Sequence, residues 1–279
     1  MKVIMHSYTF RTYPLERALK KAAEYGWDGI ELQPVHFNVQ KVEEELPRVI
    51  ELASKYGVDI YVIDFPGNFI GDDEAKRRES IDFVKKMITV VRNYGIQVMN
   101  GGVGGLVGPD PRDYGKNGSA MATDVHYERA ASALREIGKV AEGEGVTLTL
   151  EIHMNTLHDT AKSTLRLLEM VGSPAVTANP DPGNMYSTAH AEKGAAFIET
   201  LKGRIGHFHL KNCYLHAGQY NYSTLLEHGH IDNFKIVEKL KEIGYKGAVT
   251  IEYCGLGDPN VAARQDLAYL RSILNELGY

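Results

Sequence analysis

Short apolar runs recur along the chain in a fixed relation to glycine. A helix-like stretch stops at Tyr25-Gly26 and WDGIELQP follows; Tyr56-Gly57 precedes VDIYVIDF, and Tyr94-Gly95 precedes IQVMNGG. The pattern returns at Glu144-Gly145 before VTLTLEIH, Gly172 before SPAVTANPD, Gly203 before RIGHFHLKN, and Gly244 before YKGAVTIEY. Glycine just past a helix accepts the left-handed conformation that closes the last turn. The runs that follow are short and rich in Val and Ile, as strands buried on both faces are. With the opening KVIMHSYTF they predict eight strands.

Between them the apolar spacing is helical. Ala130, Leu134, Ile137 and Ala141 step by four, three and four, and Phe234, Val237, Leu240 and Ile243 do nearly the same. Asp232 stands where an N-cap belongs. A last helix is predicted from about Val261 to Leu277. Eight strand–helix alternations in 279 residues predict an α/β fold, a single (β/α)8 TIM barrel over 1–279. An open doubly wound sheet would carry a Gly-rich phosphate turn after its first strand, and HSYTFRTYP has none. No Pro/Ser-rich linker, charge block or low-complexity segment divides the chain, which reads as one domain.

Composition narrows the function classes. A chain of 279 residues buries roughly three quarters of the surface its unfolded form exposes, so it needs neither disulfides nor metal merely to fold. Lys+Arg number 31 against 36 Asp+Glu, a net charge of −5, which argues against a nucleic-acid binder. Cys213 and Cys254 form no CxxC pair, as expected of a reducing compartment. MKVIMHSYTF lacks a signal-peptide core, and no run of about 20 apolar residues is present to span a bilayer. The expectation is a cytoplasmic protein with no membrane and no nucleic-acid partner.

In a (β/α)8 barrel the chemistry lies at the C-terminal strand ends. Strand 5 ends in Glu151-Ile152-His153, strand 6 runs into Asn179-Pro180-Asp181-Pro182-Gly183-Asn184, strand 7 ends in His207-Phe208-His209-Leu210-Lys211, and strand 8 in Ile251-Glu252-Tyr253. Alternate residues share a face, so Glu151 pairs with His153 and His209 with Lys211. Glu151, Asp181, His209 and Glu252 thus stand at one height on four strands. Three carboxylates and an imidazole buried together are costly without a cation. The set suits a hard to borderline divalent ion, Mn²⁺ first, with Mg²⁺, Co²⁺ or Zn²⁺ as alternatives. His207, two residues deeper, reads as a core residue. Tyr8, Glu31 and Asp64 end strands 1 to 3 and are candidate contacts for substrate hydroxyls. The loop GGVGGLVGPDPRDYGKNGSA after strand 4 reads as a flexible lid or subunit contact, and NCYLHAGQYNYSTLLEHGHID after strand 7 as a sugar-binding or plain surface loop.

The segment LTLEIHMNTLHDTAKSTLRLLEMVGSPAVTANPDPGNMY, with HFHLKN and IEYCG, resembles the xylose isomerase-like barrels of the sugar phosphate isomerase/epimerase group. That group includes ketose 3-epimerases, inosose isomerases and dehydratases, hydroxypyruvate isomerases and 3-dehydroshikimate dehydratases. The resemblance implies Glu151, Asp181, His209 and Glu252 as metal ligands. The ExHxNTLxDT run and the His-x-Lys-Asn end of strand 7 are most similar to the 3-dehydroshikimate dehydratase branch, which implies His153 as a base and Lys211 as a substrate-oxygen ligand. Two departures stand out: Asn184 replaces the histidine that many members place three residues after the metal aspartate, and IQVMNGG offers Gln97 rather than an arginine. Asn184 is read as substrate-binding.

A divalent ion on a ketone and its neighbouring hydroxyl stabilises an enediolate, and a base must then reach the adjacent proton. Glu151, His153 and Glu252 are the candidates, with Lys211 as a donor. The expected function is a metal-dependent isomerase or epimerase of a ketose or other polyol ketone, working through a metal-bound enediolate. The alternative is a lyase that eliminates water from a keto sugar or a dehydroshikimate-like substrate. A DNA-repair endonuclease on the same barrel would need a cluster of several zincs, hence more strand-end histidines, and a basic groove; the extra histidines and the basic character are lacking here. A homo-oligomer is expected, with the loop after strand 4 placed toward a neighbour.

Overall fold

The computed structural model describes all 279 residues. In chain order the strands are β1 Val3–His6, β2 Ile30–Leu32, β3 Ile60–Phe65, β4 Val98–Gly101, β5 Thr147–Glu151, β6 Val176–Asn179, β7 Phe208–Leu210, β8 Tyr214–His216, β9 Gln219–Asn221 and β10 Val249–Ile251. The helices are α1 Leu15–Tyr25, α2 Val42–Tyr56, α3 Glu74–Arg92, α4 Asp124–Glu144, α5 Ala161–Val171, α6 Pro182–Ser187, α7 Ala196–Thr200, α8 Asn233–Glu242 and α9 Pro259–Glu276. Each of the eight predicted runs contains one strand: β1 to β7 and β10. The glycine signal works as read. Gly26 and Gly57 end α1 and α2 at φ 81° and 64°, a region closed to most residues with a Cβ, and their N–H groups satisfy the last helical carbonyls.

The chain packs as two compact units, one of Met1–Ile63 with Phe208–Tyr279, the other of Asp64–His207. In the first unit the parallel order is β7-β10-β1-β2-β3, with Thr250 opposite His209, Val3 opposite Val249, and Met5 opposite Ile30. All four residues of β1 are buried, which is why its run is apolar throughout instead of alternating. In the second unit β4, β5 and β6 pair in parallel, with Asn100 opposite Thr149 and Glu151 opposite Asn179.

The helices bury the faces that their spacing announces. Ala130, Leu134, Ile137 and Ala141 of α4 are all fully buried. In α8 the buried stripe is Ile236, Val237 and Leu240, while Phe234 is only half-buried at its rim. Asp232 caps α8 as predicted, its Oδ1 accepting the Lys235 N–H at 3.1 Å.

Two loops carry more structure than their composition announces. The glycine-rich stretch after β4 is tied to the β5–α5 loop: Leu106 N–H donates to the Asn155 carbonyl at 2.8 Å, and Ser119 N–H to Asp159 Oδ2 at 3.1 Å. His158, fully buried, accepts the Val103 N–H on Nε2 at 3.3 Å. Burial pushes its pKa down to about 4, so it stays neutral and keeps that acceptor. After β7, β8 and β9 form an antiparallel hairpin turned by Ala217 and Gly218, both at positive φ. Its feet are fastened by the buried Asn212, whose Oδ1 accepts the N–H groups of Cys213 and Ile231 at 2.9 Å each. No helix is long and apolar enough to cross a membrane.

Candidate metal centre and active site

In the first unit the polar groups cluster at strand ends. His209 is the middle residue of β7 and fully buried. Glu252 directly follows β10, fixed by its N–H to the Leu210 carbonyl at 3.0 Å. Glu252 Oε2 lies 3.9 Å from His209 Nδ1 and 2.6 Å from Lys211 Nζ, while Oε1 accepts Cys254 Sγ at 3.3 Å. Burial raises the Glu252 carboxyl pKa, but the nearby Lys211, His6 and His209 outweigh it and hold the group well below the usual carboxylate range. The other nitrogen of His209, Nε2, is 3.0 Å from both oxygens of Glu31. Glu31 is itself fully buried and 4.0 Å from His6 Nε2. His6, Glu31 and His209 form one cluster whose ligand atoms lie within 4.8 Å of one another.

Tyr8 sits in the turn after β1 beneath the Arg11 guanidinium, 4.7 Å from its ring centre. Arg11 Nη2 also donates to the carbonyls of Cys254 and Gly255, at 3.0 and 2.7 Å. One side chain therefore holds the turn that carries Tyr8 against the segment that carries Glu252.

In the second unit Glu151 ends β5, and Asp181 caps the short helix α6, with Pro182 at the first helical position. Asn184 joins the two: its N–H donates to Asp181 Oδ1 and its Nδ2 to Glu151 Oε1, both at 2.9 Å. Asn100 Nδ2 reaches Glu151 Oε2 at 3.4 Å and Asp64 Oδ1 at 3.5 Å, while its Oδ1 accepts from Thr149 and Asn179 at 3.0 and 2.9 Å. His153 lies beyond β5, exposed, its Nδ1 at 2.9 Å from the Met154 carbonyl, which leaves Nε2 as the basic nitrogen.

Of the residues read from sequence, His209, Glu252 and Lys211 meet in the first unit, and Glu151, Asp181 and Asn184 in the second. Glu31, read as a substrate contact, is buried against His209 instead. His6, Asn100 and Asn179 were not anticipated. Asn100 lies inside an apolar run, IQVMNGG, and an amide breaking such a run was the available signal.

The donor set fits a divalent cation. Two ligand atoms on one ion, each about 2.0–2.2 Å from it, lie about 3–4 Å apart. The 3.9 Å between His209 Nδ1 and Glu252 Oε2 falls in that range and is too long for a hydrogen bond. Imidazole and carboxylate suit Mn²⁺, Mg²⁺, Co²⁺ or Zn²⁺.

Comparison with known proteins places the chain. Residues 19–273 match the family model of the xylose isomerase-like TIM barrel, and the chain belongs to that family. Its parallel strands and intervening helices are therefore those of a (β/α)8 barrel. Among its relatives is the fructoselysine 3-epimerase of Shigella flexneri, 25% identical over 99% of each chain. The inosose dehydratase of Mesomycoplasma hyopneumoniae (strain 7448) is 24% identical over 93% of this chain and 89% of its own. A xylose isomerase-like TIM barrel protein from Mycobacterium smegmatis, solved in complex with magnesium, shares the fold with a TM-score of 0.79 at 19% identity, over 99% of this chain and 97% of that one.

Proposed function

We propose that this chain is a divalent-metal-dependent epimerase or isomerase that moves a proton beside the carbonyl of a ketose or other polyol ketone. The observation that carries this reading is the state of the strand-end acids: Glu252 is held as an anion beside an imidazole nitrogen, and Asn184 fastens Glu151 to Asp181. The fructoselysine 3-epimerase relative, matched over almost its whole length, supports the reaction class.

Glu151, Asp181, His209 and Glu252 would hold the ion, with Mn²⁺ first among those the donor set suits. When bound, such an ion polarises a ketone and its neighbouring hydroxyl, so that the hydrogen between them becomes acidic. Glu151 and Glu252 are the candidate proton carriers. Asn184 donates to one Glu151 oxygen, which fixes the direction of the other. Lys211 keeps Glu252 anionic and is placed to donate to a substrate oxygen on which charge grows. His153, with its Nδ1 directed at a carbonyl, presents Nε2 as a further base. Tyr8 and Asp64 are the proposed contacts for substrate hydroxyls, and the setting is cytoplasmic.

Incubation with 3-keto sugars, inososes and dehydroshikimate in D₂O, with Mn²⁺ supplied, tests this. Deuterium entry without loss of water is the expected result. An ultraviolet-absorbing enone or aromatic product would instead establish the dehydratase reading, which the inosose dehydratase relative favours. Purified protein should carry one ion per chain, and full stoichiometry and affinity in both Asp181→Ala and Glu252→Gln would refute the ligand set. In His153→Ala, exchange should be abolished while the metal stays bound; near-normal exchange would move the chemistry to the two glutamates.

A further inference from the structure

We propose that the cavity between α3 and α4 binds the phosphate group of a small ester, held by Arg77, Arg129 and Ser132. The cavity measures about 220 Å³, and none of the strand-end residues of the candidate metal centre lines it.

Two guanidinium charges converge here. Arg77, near the start of α3, donates through Nη1 to the carbonyls of Gly71 and Asp72 at 2.6 and 3.0 Å. Arg129, from α4, donates through Nη1 to the carbonyls of Ile70 and Gly71 at 3.1 and 3.3 Å, and to Asp72 Oδ1 at 2.8 Å. Both therefore meet at the Gly71 carbonyl. Asp72 gives Arg129 little relief, since its side chain is 98% exposed and water screens the pair. The hydrogen bonds of Arg77 go to carbonyls, which carry no net charge. Two like charges brought this close repel, and an anion shared by both turns that repulsion into attraction.

Donors and room point to the ligand. Holding the loop employs one nitrogen of each arginine, whereas a guanidinium has five N–H donors in a planar fork. Most of each fork is left for the cavity that Arg77 and Arg129 line. Such forks match the oxygens of a phosphate in pairs. Ser132, exposed on α4, adds a hydroxyl to the lining. Arg78 lines it too, with its charge already answered by Glu136 at 2.8 and 2.9 Å. Glu74 is the one acidic residue of the lining against three guanidiniums, in a chain whose net charge is −5. The buried Phe69 and Ile81 supply apolar surface. At about 30 Å³ per water the space equals about seven waters, more than the five heavy atoms of a phosphate fill and less than a drug-sized ligand needs. A phosphate on a short carbon chain has both the charge and the body.

The competing reading makes both arginines a clasp for the loop after β3 and nothing more. It accounts for the carbonyl contacts. It does not account for two guanidiniums on one carbonyl beside an open cavity, where one arginine and a neutral donor would hold the same loop at lower electrostatic cost.

The test is calorimetry on the intact, metal-free chain at constant ionic strength, with glycerol 3-phosphate, inorganic phosphate and glycerate as probes. One glycerol 3-phosphate should bind per chain, and glycerate, with a carboxylate for its anion, at least about tenfold more weakly. Arg77→Met and Arg129→Met should each weaken binding about ten- to a hundredfold, and Glu74→Gln should tighten it up to about fivefold. Both arginines also hold the loop, so the deciding variant is Ser132→Glu, which brings a carboxylate to the cavity from an exposed position. It should abolish binding with the melting temperature unchanged. Absence of binding in the native chain overturns the proposal, as does binding that survives Ser132→Glu or is matched by glycerate. Equal affinity for inorganic phosphate would overturn the ester in favour of the free ion.

Discussion

Glu252 shows how opposing effects on one carboxylate are resolved. Burial favours its neutral form, yet an ammonium 2.6 Å away and two neighbouring imidazoles favour the anion more strongly. Lys211→Met removes the main counter-charge. It should lower turnover on the order of a hundred- to a thousandfold while metal content falls far less, measured side by side on one preparation. Equal losses would assign Lys211 to metal binding alone. Glu151, Asp181, His209 and Glu252 were legible in sequence because a polar residue at the end of an apolar run stands out. Glu31 was visible at such an end too, but not its role. Its partner His209 lies 178 residues further on, and no local pattern reports a contact at that separation.

At the scale of elements, the segment after β7 is held by buried polar groups from several places. Asp266 of α9 accepts the Leu226 N–H at 2.8 Å. Burial pushes its pKa up from 3.8 to about 7, against the pull of that N–H, and nearby Glu227 adds to the rise. The folded chain keeps this proton up to about pH 7, whereas the unfolded chain loses it near 3.8. Between those values the folded state binds more protons, so this contribution to stability falls as pH rises, by at most about 1.4 kcal/mol per pH unit. Asp266→Asn keeps an acceptor for Leu226 and should flatten the decline, as urea unfolding from pH 4 to 8 would show. The loop after β4 invites a different experiment. Gly118 has φ +64°, and a Cβ there would collide with Asp159 Oδ2. Gly118→Ala should break the Ser119–Asp159 bond and speed amide exchange across residues 105–120, at a cost of about 1–2 kcal/mol. Sequence reading took this loop as flexible because glycine is the residue of mobile chain. Here it also serves close approach, and composition does not separate the two uses. The β8–β9 hairpin was hidden for a related reason: Ala217 adopts φ 49° without the Asn or Asp that usually marks such a turn.

For the molecule as a whole, the eightfold rhythm of glycine and apolar run carried the fold, since it depends only on short-range chemistry repeated along the chain. The substrate was not legible, because the residues that would choose it lie in loops where side-chain identity follows no period. Association is expected through the loop after β4 and its surroundings, where Val107, Met121 and Val125 are exposed by 51, 41 and 49%. Light scattering at micromolar concentration should find more than one chain, and a monomer would dismiss the idea. The pairing of β1 with β10 bears on how the protein is made. Val3 is registered against Val249, so β1 leaves the ribosome well before this neighbour, with every other strand made between them. The unit of residues 64–207 is continuous and can close its contacts while synthesis goes on. The other unit must hold an apolar strand with one bare edge until β10 has been made. For that interval Val3–His6 is a natural target for a chaperone at the exit tunnel, and the first place where a slow ribosome would lead to aggregation.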